Sequence, residues 1–483
     1  MNRMIARRIG WQGLLLSLAV ACGRTELVPG ALVDAAAGSG GIGGAGAGGV
    51  SAAGAGMMNG GFAGGLLPAG GAGQQGELEQ FLPLLGQEVS VTAIAASKDG
   101  RVAVGGNFLG RVDFGGKSLN TEAEGGYGFV AVYDAAGRLS WVKIPANGAG
   151  SVTGLSFAPD GGLIAQGAVG TMFAPEVPVV TYVVKLASDG EQAWDRRLTE
   201  RSAFPGKLVT DSRGDVWAGA QSWQPVESAD PVNDVVYLYH LSLDGKLIET
   251  QRVSGQGCVN NRLTDLTISA DDHLIAAAGC SDASGARSTF AQERDERGTT
   301  LLEKKFVGVL SFSFTDMLVS VDSKQRITTG GAFWGSFTLD GQVYGDSSML
   351  GMSHVWLARF NPGGMMDRHD VYDAHRGALA GLAHDPADNL LVLASCEGLK
   401  LGGLVVGLKP ERGEFAVCIA KVDPTGLPIW VRAIEGGMQP AVLVSDSNGH
   451  VWIGGSFYKQ AWVGDKLIQG SDKTGGLLVR LNP

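Results

Sequence analysis

Three observations predict an all-β chain, a seven-bladed β-propeller of four-stranded antiparallel blades whose ring is closed by an N-terminal strand. From Val89 onward, short segments of alternating apolar residues follow one another without an apolar stripe of helical period. Seven turns punctuate them, at Asp99 and Gly100, Asp160 and Gly161, Arg213 and Gly214, Asp271 and Asp272, Lys324 and Gln325, Asp388 and Asn389, and Asn448 and Gly449. The second residues of these turns are spaced by 61, 53, 58, 53, 64 and 60 residues. Each turn is followed by a second hairpin, as in the run 129–133, the turn at Asp134 and Gly137, and the return 139–142. Four antiparallel strands per unit make one propeller blade, and a fixed period with variable connections signals a repeat architecture.

The chain begins with an address. Arg3, Arg7 and Arg8 precede an uncharged run, 9–21, that contains Leu14, Leu15, Leu16, Leu18 and Val20 and ends at Cys22. A basic region, a short apolar region and small residues before a cut are the parts of a secretory signal, and the run is too short for a permanent span of about 20 apolar residues. Residues 35–76 carry no charge and are dominated by Gly and Ala. Such a stretch cannot bury enough side chain to offset its ordering entropy, so it is expected to be a tether, with a reach on the order of 35 Å. The expected division is 1–21 signal peptide, 22–76 Cys22 and tether, and 77–483 propeller.

Within the propeller, each unit opens with a strand such as 91–96, turns, and returns as 102–105. The turn residues are expected to supply the positive φ of a tight hairpin. The signature Gly105, Gly106, Asn107, Phe108 continues into Val112, Asp113, Phe114, Gly115, Gly116, and returns as Gly330, Gly331, Ala332, Phe333 and as Gly454, Gly455, Ser456, Phe457. The seventh unit reaches Asn482 and Pro483, which match Asn361 and Pro362, after only three strands. The stretch 81–85 stands before the first unit as 141–145 stands before the second. It is therefore expected to supply the missing strand and protect two open edges.

These units resemble the bacterial seven-bladed β-propeller (SBBP-type) repeat of secreted and surface proteins, a family to which no single catalytic activity belongs. Leu18, Ala19, Val20, Ala21 and Cys22 resemble the lipobox of bacterial lipoproteins. That resemblance implies cleavage before Cys22, lipidation of its thiol and, with Gly23 following, an outer-membrane or cell-surface location in a Gram-negative bacterium; ordinary secretory cleavage nearby is the alternative. Asp423, Pro424, Thr425, Gly426, Leu427, Pro428, Ile429 and Trp430 resemble the tryptophan-docked repeats of quinoproteins and of the outer-membrane assembly lipoprotein.

Several constellations invite chemistry. Cys258 and Cys280 lie 22 residues apart, as do Cys396 and Cys418. With Cys22 lipidated the remaining count is even, which fits two disulfides in an oxidising compartment, set against free buried thiols. Trp141, Trp194 and Trp430 recur at one blade position and are expected to pack blade on blade. His369, His375 and His384, interleaved with Asp370, Asp373 and Asp385, lack the spacing of a zinc motif and are expected to be loop residues. Gly345, Asp346, Ser347 and Ser348 fall in a loop without the strand-to-helix elbow of a serine nucleophile. The stretches from Asp134 to Gly137 and from Asp423 to Gly426 lack the alternating carboxylates of a calcium loop and are explained as hairpin turns.

No catalytic residue, metal site or cofactor is therefore expected. A net charge of −10 without a basic cluster past the first eight residues excludes the footprint of a nucleic-acid binder. The expected function is a membrane-tethered, extracytoplasmic binding or scaffolding propeller that takes a protein or glycan on its variable connections, such as 108–127, 221–234 and 396–414. The alternatives are a propeller enzyme (hydrolase, lyase or quinoprotein-like) and an outer-membrane assembly factor. The inner strands are expected to carry mostly Val, Leu, Ala, Ser and Thr, as in 441–445.

Overall fold

A computed structural model describes residues 76–121, 126–145, 150–169, 179–198, 203–222, 235–284, 286–308, 317–333, 335–345, 353–373, 378–401, 404–407, 412 and 416–483. Cys22, the signal segment and the tether, apart from Gly76, lie outside these residues. The described residues contain no α-helix, and all strand pairs are antiparallel.

The recurring element is a four-stranded sheet in which each strand pairs with the next in sequence. Gly150–Phe157, Leu163–Val169, Val180–Leu186 and Gln192–Arg197 form one such sheet, and Ala203–Thr210, Val216–Ser222, Val235–Leu241 and Leu247–Val253 form another. Two further series, from Asn260–Ile268 to Thr300–Gly308 and from Leu318–Val321 to Met366–Asp373, carry an added hairpin on the outer strand. The other strands merge into one extended sheet because two of them are long enough to serve two groups each. Pro428–Ser445 pairs with Ala416–Val422 through 428–435 and with Val451–Val463 through 434–445. Leu78–Ala96 pairs with Lys466–Leu481 through 78–84 and with Val102–Asp113 through 85–96. The stretch read from the sequence as a partner of the last strand pairs from Phe81 opposite Val479 to Leu84 opposite Gly476, while Leu85 already faces Asp113.

All seven turns read from the sequence close with the same two bonds, as Ser97 N to Arg101 O at 2.8 Å and Gly100 N to Ser97 O at 3.1 Å. They are three-residue loops in which one residue takes the left-handed conformation, rather than tight two-residue turns. That residue is Asp272 (φ 61°), Gln325 (φ 63°) and Asp388 (φ 62°) where glycine is absent, so the sixth turn pivots on Asp388 and not on Asn389. An Asp at the first turn position, such as Asp211, Asp322, Asp385 or Asp446, accepts the N–H groups two and four residues on and holds the loop.

Turns between third and fourth strands repeat this geometry, and the two ends of the domain reproduce it without a covalent link. Asn482 N donates to Glu77 O at 2.9 Å, and Gly76 N donates to Asn482 O at 3.1 Å, as Asp423 N does to Leu427 O and Gly426 N to Asp423 O. Gly76 shares the positive φ of Gly426. In each case a fourth-strand side chain packs on the turn glycine of the group that follows. A β-carbon on Gly190 would lie 2.8 Å from Trp141, on Gly245 2.7 Å from Trp194, and on Gly76 2.6 Å from Trp430. Gln80, Gln251, Leu302 and Arg368 meet Gly137, Gly298, Gly364 and Gly426 in the same way.

The core lies between successive groups. Trp141, Val130 and Val132 pack with Val152, Leu163 and Val184, and the same layering recurs along the chain. Val442, Trp452 and Leu478 from the last group share a cluster with Val104, Phe108 and Phe129 from the first. The first glycine of the repeated pair is where the next group's inner strand presses: a β-carbon on Gly105 would stand 2.6 Å from Val152, on Gly330 2.9 Å from Leu379, and on Gly454 2.6 Å from Val91.

Candidate functional site

The connections between second and third strands are built surfaces where they are described. In the first unit Val102–Asp113 runs on past Phe108, pairs with Ser118–Asn120, and lies against Leu85, Gly86 and Glu88 of the preceding strand. Asp113 shapes its tip, accepting Gly115 N at 2.7 Å and Gly116 N at 3.0 Å; those two bonds hold its carboxyl below the usual carboxylate range. Ser336–Leu339 and Gln342–Gly345 form an equivalent hairpin bound to Thr300–Gly308, and Gly398–Leu401 and Leu404–Gly407 one bound to Met366–Asp373. In the last unit Tyr458 to Val463 pair back to Ile434 to Gly437. The phenylalanine of the signature is the floor of this device. Phe108 is fully buried against Phe114 and Phe129, and Phe333 stands 5.0 Å from Phe337.

Several polar groups of the first strands bridge to the following unit. Each inner strand from the first unit to the fourth bulges at one place, and Thr92, Thr153 and Thr264 there donate to Val152 O, Gly206 O and Met317 O of the following unit. Asp265 departs from the pattern, since it stands where the other units have Ala93, Gly154, Leu208, Gly381 and Val442. Burial raises its carboxyl above the usual range, opposed by the charge of Lys207, and its Oδ2 accepts Val319 N at 3.0 Å. Sequence reading missed this pair. The detectable signal was two charges on strands otherwise composed of small and apolar residues.

The Ser320 hydroxyl and His384 Nδ1 meet at 2.8 Å. Burial pushes His384 down to about 4, so its imidazole is neutral at pH 7. The two resemble a nucleophile and base in type alone. Ser320 is buried, and the nearby Asp388 carboxylate is spent on Ser323 N and Oγ. A narrow cleft between Arg359, Arg368, Tyr372 and Pro424 reaches His384 and Asp388 from one side.

The cysteines read from the sequence meet in two disulfides, Cys258–Cys280 with Cα atoms 5.6 Å apart and Cys396–Cys418 with Cα atoms 6.0 Å apart. They suit an oxidising, extracytoplasmic environment. The indoles of Trp141 and Trp194 donate to Ser188 O and Leu243 O and, like Trp430, pack between units. His369 stands edge-on to Tyr344 and Asp370 pairs with Arg368, while Asp385 pairs with Lys421 at 2.9 Å; His375 and the segment from Asp346 to Ser348 lie outside the described residues. Asp134 and Asp423 accept backbone N–H groups in their turns, as hairpin residues do. Among the described residues, the His, Cys, Asp and Glu side chains that approach one another as a metal set would are Asp211, Asp215 and His240, which sequence reading did not single out.

No protein-family model matches the chain, and no curated protein matches it. Among solved structures it is similar to a Hadza microbial sialidase, with 13% identity over 85% of this chain and 94% of that one and a TM-score of 0.39. It is similar to Drosophila Plexin A in complex with Semaphorin 1b, with 8% identity over 85% and 88% and a TM-score of 0.41. A protein of unknown function from Dyadobacter fermentans has 11% identity over 84% and 98% and a TM-score of 0.42. Likenesses of this degree assign no activity, ligand or partner.

Proposed function

We propose that this chain is a membrane-tethered, extracytoplasmic binding or scaffolding protein, a seven-bladed propeller of SBBP type closed by residues 78–84. The cyclic packing of fourth-strand side chains on the next turn glycine, from Gln80 on Gly137 round to Trp430 on Gly76, supports the ring and the blade count. The observation that carries the binding reading is the set of hairpins clamped to the preceding unit. They give a rigid platform, and rigid platforms with variable surface residues serve recognition at low entropic cost. One oxygen of turn carboxylates such as Asp211, Asp322, Asp385 and Asp446 is meanwhile committed to backbone N–H groups. The anchor rests on the run from Leu18 to Cys22: palmitate labelling abolished by Cys22→Ser supports it, and labelling that survives the change excludes it.

Capture of surface proteins and glycans by the full chain tests the function. A retained partner lost on replacing Arg111, Lys117 and Ser118 together, but kept in Asp265→Asn, supports binding at the hairpin face. The second reading, an enzyme, is favoured by Asp265, because burial raises its carboxyl above the usual range against the charge of Lys207, and that is the direction a general acid needs. Turnover of a substrate by the chain, abolished in Asp265→Asn and with no partner retained, would replace the first reading by the second.

A further inference from the structure

One position of the repeat supplies a fixed cation to a nearby carboxylate. At the penultimate residue of the third strand, Lys185 pairs with Asp160, Arg359 with Asp367 at 3.0 Å, Lys421 with Asp385 at 2.9 Å and Arg480 with Glu79 at 2.9 Å. The third unit places His240 there, with two carboxylates beside it. Asp211 and Asp215 come from the turn between first and second strands, and the ligand atoms of all three residues lie within 4.8 Å of one another.

His240 is 5% exposed, and neither ring nitrogen has a hydrogen-bond partner. An imidazole so enclosed costs free energy unless its nitrogens are engaged. Its Nε2 points to Asp215 Oδ2 at 3.7 Å and its Nδ1 to Glu249 Oε1 at 3.5 Å. Its ring lies flat on Trp217, with centroids 4.0 Å apart and planes at 11°, which sets its orientation. The carboxylates are also positioned. Asp211 Oδ1 accepts the N–H groups of Arg213 and Asp215, and Asp215 Oδ1 accepts that of Leu243 at 3.1 Å, so the second oxygen of each is turned to the cluster. Arg213 holds Asp211 Oδ2 through Nη2 at 2.8 Å and Nε at 3.2 Å and reaches Glu296 at 3.3 Å; its side chain is half exposed, and binding of an ion requires it to release Asp211 and turn outward.

We infer that Asp211, Asp215 and His240 form a binding site for a divalent transition-metal ion of the zinc class, with Glu249 orienting the imidazole. One imidazole and two carboxylate oxygens are the donors zinc takes, at about 2.0–2.2 Å, which sets ligand atoms about 3.4 Å apart. A contraction of at most about 1.4 Å between the farthest pair is needed, within the reach of side-chain torsions. Glu249 stands where metal-binding histidines place an outer carboxylate, on the ring nitrogen away from the ion. Three oxygens or nitrogens fall short of the six to eight oxygens calcium requires, and they leave a position on the ion for water.

Zinc and cobalt titration of the tag-free, chelator-stripped full chain tests this site, with a metal-indicator competition as readout. One equivalent should bind with micromolar or tighter affinity, and the cobalt form should absorb in the visible. Asp215→Asn and His240→Gln should each weaken binding at least tenfold, and Glu249→Gln by about tenfold, with unchanged circular dichroism, while His273→Gln should bind as the parent does. No saturable zinc or cobalt binding, binding undiminished in both Asp215→Asn and His240→Gln, or saturation by calcium in preference to zinc would overturn the inference.

Discussion

Leu84→Ala separates a structural strand at the amino end of the domain from a passing segment. Leu84 is 1% exposed, pairs opposite Gly476 and shares a cluster with Leu478 and Val89, whereas Leu85 beside it is 43% exposed. Truncation at Leu84 removes three buried carbons, about 2.4 kcal/mol at about 0.8 kcal/mol each, and a residual cavity raises the cost to about 3 kcal/mol. Leu85→Ala should cost under about 1 kcal/mol, as surface changes do. Urea unfolding followed by tryptophan fluorescence reads the difference. With a slope of about 3 kcal/mol/M, Leu84→Ala should lower the midpoint by about 1 M and leave the slope unchanged. Equal midpoints for the two variants would refute the assignment of 78–84 as an outer strand packed on the last unit.

Gln325 takes a left-handed backbone without glycine, so Gln325→Gly should raise stability by about 0.5–1 kcal/mol. Asp388→Gly should give no such gain in the same denaturation assay, because the Asp388 carboxylate also accepts Ser323 N and Oγ across the unit boundary. His384 is held neutral by burial, with its folded value near 4 against an ordinary value of 6.5. Its contribution is therefore full above pH 6.5 and is lost as pH falls towards 4, when the unfolded chain takes up the proton; the span corresponds to about 3 kcal/mol. Melting temperatures of His384→Gln and the parent should converge over that window. Reduction of either disulfide, each closing a span of 22 residues, should cost about 3 kcal/mol, read as a drop in urea midpoint on adding a thiol or in Cys258→Ser.

Strand rhythm and turn placement were legible in the sequence because both are local. The alternation of apolar residues and the Asp or Gly of each hairpin act within a few residues of one another, so 81–84 and the fourth-strand tryptophans could be placed from spacing alone. The turn pivot at Asp388 and the merging of groups through Pro428–Ser445 were not legible. A left-handed non-glycine residue has no strong sequence mark, and a strand that serves two sheets looks like two strands. The cysteine pairs were candidates because strand order brings Cys258 and Cys280 to one end of a hairpin and sets Cys396 and Cys418 on neighbouring strands; that they bridge was decided by the structure. Asp265, Lys207 and the group of Asp211, Asp215 and His240 escaped for the opposite reason: their members stand apart in sequence, and nothing local distinguishes them from solvated charges.

By itself, then, the sequence determined the all-β class, the repeated hairpins and the glycines of the signature, since each follows from backbone sterics and a short-range pattern, while the structure decided between disulfides and free thiols for the cysteines. Only the tertiary structure decided what those glycines are for. Gly105 is small because Val152 of the next unit stands where a β-carbon would go, and Gly76 is small because Trp430, more than 350 residues away, covers it. The same long-range packing put an imidazole between Asp215 and Glu249, at a position where four other units have a lysine or arginine. Contacts of that kind depend on how whole sheets stack, which no window of sequence contains.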